Sequence, residues 1–182
     1  MQMVFAAAGR RIDPSDSNPA RFPLSKVALV TERIRGFFQA HPATIIVTSA
    51  ACGADLIVLD EAGRLGIRRR VILPFDRDRF RATSVSDRPG DWGPLYDRLI
   101  NEISLRNDVI ISTGATDELA AYAAVNHLIL EQAESLARES GECAAAVLIW
   151  EGRPRKTGDL TQAFGERARE RGMKVLGIST LD

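Results

Sequence analysis

Short apolar runs alternate along the chain with segments of helical periodicity. The runs predict six strands, at residues 4–8, 45–47, 70–75, 109–112, 144–150 and 174–179. Apolar residues at three- and four-residue spacing predict helices over 25–41, 54–66, 92–103, 117–139 and 160–171. Ser25 and Asp91 are expected to cap two of these helices. Because the strands are uniformly apolar, the pattern indicates a mainly parallel sheet covered by helices on both faces.

In folds of this kind, ligands lie beyond the carboxyl ends of the strands. This rule selects five loops as candidate positions: 9–11, 49–55, 75–81, 113–117 and 151–159. The polar segment 76–90 is too long for a minimal connection, and its arginines suit either a mobile lid or a solvated loop.

The turn at 49–55 joins a buried strand to a helix through small residues. Such a turn exposes the first amides of the helix, which suit a phosphate. Gly53 would let the phosphate approach the backbone, and the Ser49 hydroxyl would donate to it; both could instead serve the turn alone. Asp55 would contact ribose hydroxyls or complement the helix dipole.

Two further loops carry cations beside glycines. Gly9 and Arg10 follow the first strand, where an arginine can fork onto a phosphate. A second anion site is predicted before the last helix, where Thr157 or Asp159 could alternatively act only as a cap. Its candidate residues are Lys156, Thr157 and Gly158, with Arg155 as a second cation.

Tyr122 and Asn126 are four residues apart, so they share one face of the long helix and could contact a base or ribose. His41 and His127 have no second ligand at useful spacing. We therefore expect no metal site and assign no cofactor.

Composition narrows the classes of partner. The chain has 182 residues, with 24 basic and 24 acidic side chains, so no global field favours nucleic acid or anionic lipid. We expect one domain over 1–182, a cytoplasmic location, and no membrane span or signal peptide. The expected partner is a nucleotide-type small molecule, and homo-oligomer formation stays open.

Three motifs carry a family resemblance: the segments 48–55 (TSAACGAD), 61–66 (EAGRLG) and 71–75 (VILPF). They resemble the superfamily that unites DNA-processing protein A with the Lonely Guy nucleotide hydrolases, whose Rossmann-like domains are called SLOG domains. The segments 8–13 (AGRRID), 21–23 (RFP) and 91–92 (DW) resemble one branch, found alone or fused to signalling and repeat modules. The resemblance implies an α/β Rossmann-like three-layer sandwich with six or seven strands and a nucleotide-type ligand. That branch tends to carry an aromatic residue and an asparagine where Tyr122 and Asn126 stand.

The function classes differ in what they require. A sensor that binds a nucleotide-derived molecule needs only binding donors. An N-glycosidic hydrolase, the alternative, needs a placed carboxylate. The hydrolase members of the superfamily carry a Pro-Gly-Gly-x-Gly-Thr-x-x-Glu turn, whereas residues 112–118 here read Ser-Thr-Gly-Ala-Thr-Asp-Glu. Glu118 is therefore only a weak catalytic candidate, and single-strand nucleic-acid binding is disfavoured by the zero net charge.

Overall fold

Six parallel strands form the central sheet of the computed structural model, which describes residues 2–113 and 117–182. The strand order is β4-β3-β2-β1-β5-β6, and every neighbouring pair is parallel. The strands are β1 Met3–Gly9, β2 Ala43–Thr48, β3 Arg68–Leu73, β4 Val109–Ile111, β5 Cys143–Ile149 and β6 Lys174–Ile178. The predicted parallel sheet is confirmed, with β1 at its centre.

Helices cover both faces of the sheet. They are α1 Val27–Ala40, α2 Ala54–Arg64, α3 Arg77–Phe80, α4 Gly93–Ser104, α5 Glu118–Ser140 and α6 Leu160–Glu170. Buried residues of α1, α2 and α4 pack in one apolar cluster with Phe5 of β1. Buried residues of α5 and α6 pack in a second cluster with Val4 and Ala6. Because successive residues of β1 point to opposite faces, the three-layer α/β sandwich follows from its apolar sequence.

The strand order reverses at β1, which has β2 on one side and β5 on the other. Gly9 ends this strand, and a Cβ there would collide with the Ala54 side chain and lie 2.8 Å from the Ile149 carbonyl oxygen. The glycine therefore lets the end of β1 pack directly against the start of α2. This edge is where open α/β sheets bind ligands.

Two predicted helix starts are wrong. Ser25 lies within a 3₁₀ turn, Leu24–Lys26, and makes no side-chain cap for α1. Trp92 rather than Asp91 is the N-cap of α4, whose first turn contains a proline with a preset helical φ. Part of the predicted loop 76–90 is also helical: Asp76 caps α3, and a π-helical turn, Arg81–Val85, follows it.

Candidate functional site

A cavity of about 650 Å³ opens at the carboxyl edge of the sheet. Its wall is formed by the end of β1, the segments 11–21 and 80–88, the turn 49–55, one face of α5 and the start of α6. Its polar lining residues are Arg11, Asp13, Ser17, Asn18, Arg21, Ser49, Asp55, Thr83, Ser84, Arg88, Glu118, Tyr122, Asn126, Arg155 and Thr161. The volume is typical of a small-molecule site.

The structure separates the predicted site residues into two groups. Those that line the cavity are Gly9, Ser49, Asp55, Glu118, Tyr122 and Asn126. Those that lie outside the lining are Arg10, Gly53, Lys156, Thr157 and Gly158. Of the candidate loop 113–117, residues 114–116 lie outside the described residues. The ligand-binding roles of the first group stay predictions, as do those of the exposed Lys156, Thr157 and Gly158. The expectations for Arg10 and Gly53 require correction.

Gly53 faces protein rather than open space. It has a φ of +96°, and a Cβ there would lie 2.9 Å from both the Arg10 carbonyl oxygen and the Ile12 amide nitrogen. The Ala54 amide donates to the Arg10 carbonyl, and the Cys52 amide donates to the Ser84 carbonyl. The prediction that a phosphate binds beside Gly53 is therefore wrong, because the chain itself occupies these donors and the space beside them.

Arg10 is buried in an ion-pair network instead of reaching a ligand. Its Nε donates to Glu151 Oε2 and its Nη1 to Asp159 Oδ1, both at 2.8 Å. Its Nη2 donates to Asp159 Oδ2 at 2.8 Å and to the Arg153 carbonyl oxygen at 2.9 Å. The fork predicted for a phosphate binds two carboxylates, which tie the loop after β5 to the end of β1.

The loop 151–159 keeps its own helix-start donors occupied. Asp159 caps α6 by accepting from the Thr161 and Gln162 amides, and it also accepts from the Arg155 amide. Burial would raise the pKa of Asp159, but the hydrogen bonds from Arg10 and these amides lower it to about 2. The capping alternative therefore describes Asp159. Lys156, Thr157 and Gly158 are exposed, whereas Arg155 lines the cavity.

Asp55 is a buried carboxyl on the cavity wall. It lies in the first turn of α2, and its Oδ2 accepts from the Ala51 amide at 3.2 Å. Burial raises its pKa to about 7, against smaller opposing effects of that amide and of the Arg11 charge. Near neutral pH this side chain can therefore accept or donate a hydrogen bond to a ligand hydroxyl.

One face of α5 presents Tyr122 and Asn126 to the cavity. The Tyr122 hydroxyl lies 2.5 Å from Ser84 Oγ, and its ring packs edge-on against Phe75. Asn126 Nδ2 donates to the Leu160 carbonyl oxygen at 3.1 Å. These contacts fix both side chains, so the cavity has an aromatic edge and an amide in set positions. Glu118 also lines the cavity, but it is exposed at the start of α5.

Four arginines line the cavity: Arg11, Arg21, Arg88 and Arg155. Arg11 and Arg155 lie in loops that the sequence selected as candidate positions, whereas Arg21 and Arg88 were missed. Arg11 forms an ion pair with Asp87, and Arg21 forms one with Glu151. The only available signals are the pair Arg10-Arg11 and the cations of the loop 151–159. Neither signal tells which arginine meets a carboxylate from a distant part of the chain.

Residues 2–113 and 117–182 contain neither a metal-binding cluster nor a membrane-spanning helix. No group of three or more His, Cys, Asp or Glu side chains converges there in a way that could hold a metal ion. No helix in that part of the chain is long and apolar enough to cross a membrane.

The fold is similar to that of a solved protein. No protein-family model matches the chain, and no curated protein matches it. The X-ray structure of DNA processing protein A (DprA) from Streptococcus pneumoniae superposes with a TM-score of 0.54 and 17% sequence identity. The match covers 96% of this chain and 49% of that one, so the chain spans about half its length. The chain has a DprA-like, SLOG-type fold.

This likeness confirms the fold class implied by the sequence resemblance. The SLOG-type sheet places the turn 49–55 and the loops after β1 and β5 at one edge, as the strand order requires. At 17% identity the comparison carries the fold and no residue role. The chemistry of the cavity therefore rests on its own side chains.

Proposed function

We propose that the cavity binds a nucleotide or a nucleotide-derived small molecule, and that the domain acts as a ligand-binding sensor. The observation that carries the proposal is the mixed lining of one cavity of about 650 Å³. Arginines suit phosphate, Asp55 and Asn126 suit sugar hydroxyls or base edges, and the Tyr122 ring suits a base.

The segment 80–88 supports a sensor role. It supplies Phe80, Thr83, Ser84 and Arg88 to the lining, and the Ser84–Tyr122 hydrogen bond joins it to α5. A ligand that contacts both the segment 80–88 and α5 binds most tightly when the two have the relative position that allows both contacts. Its occupancy would therefore bias the position of this segment, which a partner could detect.

Nucleic-acid binding has weaker support. DprA is named for DNA processing, but the likeness to it extends only to the fold. The chain has zero formal charge, and many of its arginines are neutralised by carboxylates; the Arg68 and Arg70 side chains, for example, both bind Asp108. A phosphate backbone requires unpaired positive charge along a track.

The test is native mass spectrometry of protein purified without added nucleotide, followed by thermal-shift titration with AMP, ADP, NAD and ADP-ribose. A ligand at one hundred times its Kd should stabilise the fold by about 2.7 kcal/mol. That corresponds to roughly 5–11 °C in Tm for a domain of this size. No copurified nucleotide and no shift with any of the four would refute the proposal.

A matched pair of variants ties binding to the cavity. Asn126→Ala removes an amide from the lining, and Asn101→Ala removes one from the exposed surface of α4. We expect the affinity for the best ligand to fall about fivefold to tenfold in the first variant, the loss of one hydrogen bond. Asn101→Ala should bind like the wild type.

Hydrolysis of an N-glycosidic bond is the second candidate, favoured by the buried Asp55 carboxyl with its pKa of about 7. Such a group could take a proton from water as the bond between base and ribose breaks. We place it second because the turn 112–118 lacks the glutamate motif and Glu118 is exposed. Adenine released from AMP by the wild type, and not by Asp55→Asn, would reverse this order.

A further inference from the structure

Three arginines from three separate segments line the rim of the cavity. Arg21 lies in the loop after β1, Arg88 follows the π-helical turn, and Arg155 lies in the loop after β5. Burial and the nearby charge of Arg10 lower the pKa of the Arg155 guanidinium. The Asp159 charge raises this pKa, and the charges of Arg21 and Arg88 lower it further.

The carboxylates near this rim do not neutralise it. Arg21 shares Glu151 with the buried Arg10, and Asp159 is bound by Arg10 and by three backbone amides. Asp87 Oδ2 lies 3.6 Å from Arg88 Nε, and the same carboxylate also pairs with Arg11. Arg155 forms no ion pair with any carboxylate in residues 2–113 or 117–182.

Backbone amides at the starts of α2 and α6 are already hydrogen-bonded within the chain, so side chains are the better candidates for binding an anion. At α2, the Ala54 amide is bound by the Arg10 carbonyl and the Ala51 amide by Asp55. At α6, the Thr161 and Gln162 amides are bound by Asp159. These four amides are therefore occupied within the chain and cannot bind a phosphate without losing their present partners.

We propose that Arg155, assisted by Arg88 and Arg21, forms the subsite for the phosphate group of the ligand. The proposal deepens the proposed function and rests on it for the rest of the ligand: the substrate class is a phosphorylated molecule, not a free nucleoside or base. A phosphate supplies the negative charge that this rim lacks and accepts forked hydrogen bonds from guanidinium groups. Asp55 and Asn126 are left for neutral hydroxyl and amide groups.

The chain offers a matched control at the adjacent residue. Arg155→Gln and Lys156→Gln each remove one positive charge from the same exposed loop, but only Arg155 lines the cavity. The Arg155 side chain makes no hydrogen bond with a described residue, and its amide bond to Asp159 survives the substitution. Both variants should therefore melt like the wild type in chloride.

The probe is inorganic phosphate, titrated against the three proteins by thermal shift and calorimetry, with sodium chloride at equal ionic strength as reference. We expect phosphate to bind the wild type and Lys156→Gln alike, and Arg155→Gln about tenfold more weakly. Arg88→Gln should weaken binding to a smaller degree. The subsite would be overturned if the phosphate affinity of Arg155→Gln were within twofold of that of the wild type. It would also be overturned if phosphate and chloride had the same effect on the wild type.

Adenosine and AMP separate this proposal from the proposed function. AMP should bind more tightly than adenosine to the wild type, and most of that difference should vanish in Arg155→Gln. Phosphate binding that depends on Arg155, with AMP no tighter than phosphate alone, would refute nucleotide binding and keep the subsite. An AMP affinity that is unchanged in Arg155→Gln would support nucleotide binding and refute the subsite.

Discussion

Substituting Gly53 by alanine should destabilise the fold far more than a positive φ alone explains. Gly53 has φ +96° and ψ −124°, a conformation that residues with a side chain avoid, at a cost of about 1–3 kcal/mol. The new Cβ would also lie 2.9 Å from two backbone atoms, the Arg10 carbonyl oxygen and the Ile12 amide nitrogen. Backbone cannot rotate away, so overpacking adds roughly 1–3 kcal/mol.

Gly66 provides the control for this substitution. It has a φ of +72°, and nothing lies within 4 Å of the position its Cβ would take. Gly66→Ala should therefore show only the cost of the left-handed conformation, about 1 kcal/mol. For a domain of this size that lowers Tm by about 2–4 °C, whereas the combined cost of about 2–6 kcal/mol in Gly53→Ala should lower it by about 4–24 °C.

The assay is urea unfolding of both variants and the wild type, followed by circular dichroism at one pH. The excess loss in Gly53→Ala measures the close approach between the turn 49–55 and the segment after β1, together with the more restricted φ and ψ of Gly53. Equal losses in the two variants would refute the reasoning. The same contact means that weaker ligand binding in a Gly53 variant would reflect a displaced turn and not a blocked phosphate.

The remaining predictions concern buried charge. Burial raises the pKa of Asp55 from 3.8 to about 7, so the stability due to its neutral form is complete below pH 3.8 and is lost as pH rises through 7. In urea unfolding, the unfolding free energy of Asp55→Asn should exceed that of the wild type by about 2–4 kcal/mol at pH 8 and should equal it at pH 4. Hydrogen bonds lower the pKa of Asp159 to about 2, so its contribution of about 2 kcal/mol should be lost between pH 4 and pH 2, and Asp159→Asn should lack that acid-limb loss. Arg10→Gln leaves Glu151 and Asp159 without their buried partner and should lower the unfolding free energy by about 3–5 kcal/mol. Arg153→Gln, at an exposed position, should lower it by less than about 0.5 kcal/mol. Similar losses in the two variants would contradict the network.

The sequence predicted the secondary structure well because its signals are local. All six predicted strands are present, and α5 begins after Asp117, which caps it by accepting from the Ala120 amide. Gly66 follows α2 with a positive φ, as expected of a helix stop. The misplaced caps at Ser25 and Asp91 each lie one residue from the observed N-caps, Lys26 and Trp92, neither of which makes a side-chain cap.

Local pattern also placed part of the candidate site. Tyr122 and Asn126 share a helix face because they are four residues apart, and that face meets the cavity. Ser49 and Asp55 line it because a strand order that reverses at β1 gathers the carboxyl ends of its neighbours. Spacing and topology were sufficient for these positions.

The sequence by itself thus determined the parallel α/β sheet and the edge at which a ligand would lie, since apolar periodicity and chain connectivity specify these features. Only the tertiary structure decided which cations and donors are free. Arg10 and Arg155 look alike in the chain, yet the Arg10 guanidinium binds Glu151 and Asp159 across the sheet edge, and the Arg155 guanidinium binds neither carboxylate. The availability of a charge depends on partners more than one hundred residues away, and that pairing is a property of the packed fold and not of local pattern.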